Sequence, residues 1–244
     1  MPPVDPSPDP MRDPAPEHAR ESEIPRDGFA KSLGGFGPLG ILAMLVILLV
    51  GNGLVVPVAA LLVLAWVRVT HTPWRDIGYV RPRSWTLTVA GGIVAGIAFK
   101  LLMKAVVMPL FGADPVNHAF HYLAGNRAAL PGAVYAMIVS AGFGEETVFR
   151  GYLFERLGKL FGSGRRGNVL VVLSSSVLFG LAHYTSQGWT GVEQAMVTGL
   201  VFGSIRAVTG KLPFNMVAHA AFDLTAVAII YLDLETSIAH LVFR

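Results

Sequence analysis

Apolar runs long enough to cross a bilayer recur along this chain from Phe36 to Tyr231, and no other feature restricts its fold as much. A span needs about 20 apolar residues as a helix, and its backbone polar groups must be satisfied inside the lipid. Runs of this length therefore read as helices. The composition agrees, with 53% of residues hydrophobic and 14% charged, against roughly 25% charged in an average soluble domain. The expected fold is all-α, a polytopic integral membrane bundle of about seven spans, within about six to eight.

The chain divides by composition. Residues 1–35 carry seven acids, four bases and many prolines, with little to bury, which is the composition of a disordered tail. No basic start leads directly into a short apolar stretch, so a cleavable signal is not expected. Residues 36–130 hold the first membrane helices and their loops, 131–232 a membrane core, and 233–244 a C-terminal tail. Phe36 to Val69 would be roughly 50 Å long as one helix, and Gly51-Asn52-Gly53 interrupts it, so a helical hairpin is expected. Further spans follow at Trp85–Leu110, Pro131–Phe161, Asn168–Tyr184, Trp189–Val208 and Leu212–Tyr231. Gly92 and Gly96 offer a small-xxx-small packing face within the third.

Charge placement orients the bundle. Arg68 to Arg83 and Arg156 to Arg166 each hold four bases, whereas 111–130 holds Arg127 alone. Basic loops stay cytoplasmic, which puts the N-terminus, Arg206 and Lys211 inside and the 111–130 loop outside, in what is expected to be a bacterial cell membrane. The net charge of +3 therefore belongs to topology, and nucleic acid is not an expected partner. Membrane lipid and a peptide or protein substrate are. The absence of cysteine excludes disulfides, a thiolate nucleophile and Cys-based metal sites.

Ionisable groups within spans cost several kcal/mol each and persist mainly where they pair or act. Gly144-Glu145-Glu146-Thr147-Val148-Phe149-Arg150 lies midway along a long helical stretch. Glu146 and Arg150 share a face and suit a structural ion pair. Successive residues of an α-helix lie about 100° apart, so Glu145 and Glu146 are not expected to address one spot. That leaves Glu145 without a local partner and fit to serve as a general base. Phe179 and His183 lie one turn apart near the end of a later span, and Asn215, His219 and Asp223 form a polar stripe on an apolar helix. Two carboxylates and two imidazoles around one cavity can activate water and stabilise an oxyanion, or bind a divalent metal. His118 and His121 have helical spacing in the outer loop, a pattern more often interfacial than metal-binding.

Taken together, Glu145-Glu146-x-x-x-Arg150, Phe179-x-x-x-His183 and His219-x-x-x-Asp223 resemble the CAAX protease and bacteriocin-processing (CPBP) family of intramembrane proteases over about residues 130–232. The resemblance implies an all-helical membrane endopeptidase acting on prenylated CAAX-type or bacteriocin-like substrates. It implies Glu145 as the catalytic glutamate, His183 as the residue that holds and activates water, and His219 with Asp223 as the pair that steadies oxyanion or water. Glu146 and Arg150 fall on the family's paired positions. Relatives often carry Asn where Asp223 stands, and an ionised Asp cannot donate to an oxyanion. The favoured mechanism requires no cofactor. In the alternative, a divalent metal such as zinc would have Glu145, His183, His219 and Asp223 as candidate ligands.

Two other functions compete. One is a non-catalytic immunity or scaffold protein of the same fold. The other is a small proton-coupled transporter, which the lack of a repeat and of further buried charges on other spans disfavours. A rhomboid-type serine protease lacks its Gly-x-Ser-x-Gly-like nucleophile.

Overall fold

The computed structural model describes residues 28–51 and 55–243. Among these the chain is all helical, in nine helices: α1 Gly28–Gly34, α2 Pro38–Val50, α3 Val56–Val69, α4 Trp85–Leu110, α5 Arg127–Phe161, α6 Arg165–Ala182, α7 Tyr184–Thr209, α8 Pro213–Tyr231 and α9 Glu235–Ala239. Three of them, α4, α5 and α8, are by themselves long and apolar enough to cross a membrane, and the bent pair α1–α2 would make four. The sequence expects about seven spans because it counts α3, α6 and α7 as well. These three are helical, but α3 has only 14 residues, while α6 and α7 are less apolar along their length than the other three.

Boundaries follow local chemistry. Pro stands in the first turn of α2, α3 and α8, where its missing N–H costs nothing. The Ser84 side chain caps α4 by accepting from Leu87 N–H. The interruption after Val50 is real, although Asn52 and Gly53 lie outside the described residues. Of the expected tails, residues 1–27 also lie outside them, whereas Gly28–Gly34 is helical and 233–243 contains α9 with a buried Glu235. These two short helices dock through polar contacts that a composition count does not see.

Helix α5 sits between α3 and α8, while α4 lies along α8 and α6 pairs with α7. The α4–α8 contact depends on the expected small-residue face. A side chain at Gly96 would collide with Ala221 Cβ and with the backbone of Ala218 and Phe222, and one at Gly92 would meet Val217 at 2.8 Å. Between apolar helices in lipid, such close packing replaces the hydrophobic drive available in water.

Two buried arginines weld the connections at one end of the bundle. Arg206 donates to Arg150 O at 3.0 Å and Asp76 O at 2.9 Å, and Arg156 donates to Gly34 O and Gly35 O at 2.7 and 2.6 Å. The sequence counts both as loop charges; the structure buries both. The same end joins Leu212 N–H to Gly78 O, whereas Gly125 N–H bonds Tyr231 O at the other. This grouping of connections is the one that charge alternation expects.

Candidate active site

The polar stripe of α8 faces the middle of α5, and His219 is the residue on which the two helices converge. Its Nδ1 lies 2.8 Å from Glu146 Oε1, and its Nε2 lies 3.5 Å from Asp223 Oδ2 and 3.8 Å from Glu145 Oε2. Glu146 is also 2.9 Å from Arg150 Nη1, so its carboxylate is an acceptor and the imidazole N–H donates to it. Glu145 and Glu146 therefore do address one group, contrary to the expectation from an ideal α-helix. Two physical reasons account for this. Ala136–Leu153 is wound as a π-helix, whose i→i+5 bonds turn the chain less per residue than α winding does. An imidazole also presents nitrogens on two sides, and the two carboxylates take one side each.

Burial separates the four acidic and basic groups into two pairs. The side chains of Glu146 and Arg150 are 0% and 1% exposed, those of Glu145 and Asp223 18% and 21%. The expected Glu146–Arg150 ion pair is thus present and dry. It is further enclosed by the Phe179 ring, 4.0 Å from the guanidinium, a cation–π contact that strengthens when desolvated. Glu145 and Asp223, in contrast, line a cavity of ≈ 420 Å³ together with His183 and His219. All four residues expected to carry chemistry thus meet at one space, although they come from three helices.

His183 ends α6 and points its ring into the same cavity. Its Nδ1 lies 2.8 Å from Phe179 O. A carbonyl only accepts, so Nδ1 carries a proton, and in the neutral ring Nε2 is an acceptor. Phe179 is a shared wall, with its ring centroid 4.7 Å from that of His183, 6.0 Å from His219 and 5.0 Å from Phe149. Asn215, the first member of the stripe, donates to Phe202 O at 2.7 Å and fixes α8 to α7. Phe202 in turn lies 5.3 Å from the His219 ring. Sequence reasoning gives Phe202 no role, since nothing local distinguishes it from other apolar residues.

The outer-loop histidines do not come together as a site. His118 contacts Asp114 at 3.1 Å and His121 contacts Glu235 at 3.5 Å. Among the described residues, no three His, Asp or Glu side chains are grouped so as to hold a metal ion.

The sequence reading also missed two charges. Lys100 and Lys104 lie on α4, inside a span, so the statement that other spans lack buried charges does not hold. Lys104 pairs with the buried Glu235 at 3.4 Å and donates to Pro115 O, tying α9 and the outer loop to α4. Lys100 donates to Gln194 Oε1 at 3.2 Å and lines the cavity. The signal was available, because Gly92, Gly96 and Lys100 recur every fourth residue and so share one helix face.

Comparison with curated proteins and with solved structures finds no match. A family model does match, the one described as Type II CAAX prenyl endopeptidase Rce1-like, over residues 127–225. That segment runs from the start of α5 to Thr225 on α8, and so contains Glu145, Glu146, Arg150, His183, His219 and Asp223. The chain is a helical integral membrane protein whose residues 127–225 are similar to the Rce1-like CAAX prenyl endopeptidase family.

Proposed function

We propose that this protein is an intramembrane endopeptidase that hydrolyses peptide bonds of membrane-associated substrates with water activated by Glu145. The observation that carries this reading is the meeting of Glu145, His183, His219 and Asp223 at one cavity among apolar helices, beside a dry Glu146–Arg150 pair.

Each residue then has a task set by its geometry. His183 Nε2, the free acceptor, holds one hydrogen of the water. Glu145 takes the other as the oxygen attacks the carbonyl carbon, which forms the new C–O bond and moves the carbonyl pair onto oxygen. His219, doubly protonated between Glu146 and the cavity, offers Nε2–H to that oxyanion. Glu145 returns its proton to the leaving nitrogen as the C–N bond breaks, giving an amine and a carboxylic acid, which releases its remaining proton to water as the products leave. Asp223 steadies His219 or donates to the oxyanion. Glu146 and Arg150 are positioning residues, because they act through the His219 ring.

Substrates are membrane-borne peptides or proteins, of the prenylated CAAX type that the matched family's description names or of a bacteriocin-like type. The setting is a bacterial cell membrane with the N-terminus cytoplasmic, as the basic connections at one end favour. Incubating the purified full chain in lipid with a membrane-embedded peptide library, and comparing it with Glu145→Gln by mass spectrometry, tests the reading. Cleavage lost in a variant that still purifies as a folded protein is expected. Equal cleavage by both proteins overturns the assignment of Glu145.

A further inference from the structure

A hydrolase at bilayer depth consumes one water for every bond it breaks, and the lipid around it holds none. A peptide lying across Glu145 would displace water from the larger cavity, so a separate route for water matters. The structure has a second, smaller cavity of ≈ 150 Å³ walled by the outer loop. One end reaches the surface, where its wall includes Asp114 and His118, with side chains 57% and 75% exposed, and the exposed Thr190. At the other end Lys100, Gln187 and Gln194 line both cavities. Lys100 Nζ donates to Gln194 Oε1 at 3.2 Å across this junction.

The wall of the smaller cavity carries buried polar atoms of both kinds. Lys100 is 6% exposed. Its ammonium has three donors, and among the described residues it makes one hydrogen bond, to Gln194. Glu235 is 2% exposed. Its Oε1 accepts from Asn117 N–H at 2.8 Å and from Lys104 at 3.4 Å. Its Oε2 has no hydrogen-bond partner among the described residues, with His121 Nδ1 standing 3.5 Å off. Water answers a spare donor and a spare acceptor together, because it is both. An anion would instead face Glu235, and a cation would face Lys100 and Lys104. A water needs about 10–15 Å³ of such a cavity and two to four polar partners, so this one has room for several.

We infer that the smaller cavity is a water-entry path, which carries water from the outer loop through the Lys100–Gln194 junction to Glu145 while a peptide fills the larger cavity. The inference rests on the protease reading and adds to it: peptide and water, the two substrates of the reaction, enter by separate openings. Lys100 and Gln194 are then polar walls of the path and take no part in bond making.

The chain contains no cysteine, so one thiol introduced into the full chain in bilayer discs reports local water, because a thiol reacts as its thiolate. Sulfonatoethyl methanethiosulfonate, a small anion that stays out of lipid, should modify Gln194→Cys and leave Leu101→Cys, on the exposed face of α4, unmodified. Adding Thr190→Trp at the outer opening should slow the modification of Gln194→Cys. An inert Gln194→Cys overturns the path. So does an unchanged rate beside Thr190→Trp, because water then arrives through the larger cavity. Neither measurement needs activity, so both decide whether or not the protein cleaves peptides. The supply of water is read with Thr190→Cys, plugged after folding. A bulky maleimide on that thiol should lower kcat at unchanged KM, while a methylthio adduct leaves both at the values of the unmodified variant. Unchanged kcat with the bulky adduct overturns the supply role. A rise in KM alone also overturns it and makes the smaller cavity part of the peptide site. Gln194→Cys modified as expected and slowed by Thr190→Trp, in a protein that cleaves no peptide, supports the path and overturns the protease reading.

Discussion

The imidazole of His219 donates a 2.8 Å hydrogen bond to Glu146, a carboxylate already held by Arg150 at 2.9 Å. This relation turns an ion pair that could have been merely structural into a support for the cavity. The Arg150 guanidinium fixes Glu146, Glu146 fixes one ring nitrogen, and the other ring nitrogen is thereby aimed at Glu145 and Asp223. Positioning of this kind is what the proposed role of the His219 ring requires from its surroundings.

Glu146→Gln and Arg150→Ala should both lower the yield of folded protein. Removing one partner of a buried pair leaves a charge uncompensated, at about 3–5 kcal/mol. Thermal unfolding in detergent and size-exclusion profiles measure this. The two variants differ in activity: Glu146→Gln keeps an acceptor for His219 and should retain part of its rate per folded molecule. An Arg150→Ala protein as stable as wild type but inactive would move Arg150 into the catalytic group.

His183→Ala should abolish peptide cleavage, because the acceptor facing the proposed water disappears. His121→Ala should retain it, since His121 touches Glu235 near the outer loop and is half exposed. Initial rates of the two variants on one peptide check this, and loss of activity at His121 with retention at His183 would relocate the site.

Asp223→Asn should keep or raise activity and Asp223→Ala should lose it, because an amide of the same shape is a permanent donor and also an acceptor. A chelator is expected to have little effect at equal pH. An inactive Asn variant rescued by zinc would replace the glutamate–water mechanism with a metal one, while leaving the intramembrane protease assignment standing.

Gly96→Leu should destabilise the protein by at least about 1–3 kcal/mol, the usual range for overpacking, because the added atoms meet backbone that cannot swing aside. Loss of expression and a lowered midpoint in heat denaturation are the readouts. Gly112→Ala provides the contrast, since nothing lies within 4 Å of its Cβ position, although its positive φ of 72° still carries a small strain.

By itself the sequence determined that this chain is a helical membrane protein, where its helices run, and which ionisable residues lie within apolar helices. Apolar run length and Pro or Gly punctuation are local signals. A carboxylate or imidazole in an apolar helix also declares itself without any knowledge of its neighbours. The tertiary structure decided what those residues do to one another. Whether Glu145 and Glu146 reach the same imidazole depends on π winding in α5 and on where α8 lies. Whether Arg156 and Arg206 are loop charges or buried staples depends on carbonyls more than fifty residues away in sequence. Lys100 reads in sequence as one base near the middle of a span, and becomes a buried cation at a cavity because Gly92 and Gly96 bring α4 onto α8. Hydropathy and spacing are properties of one helix, whereas convergence, burial and pairing are properties of several, and only packing fixes them.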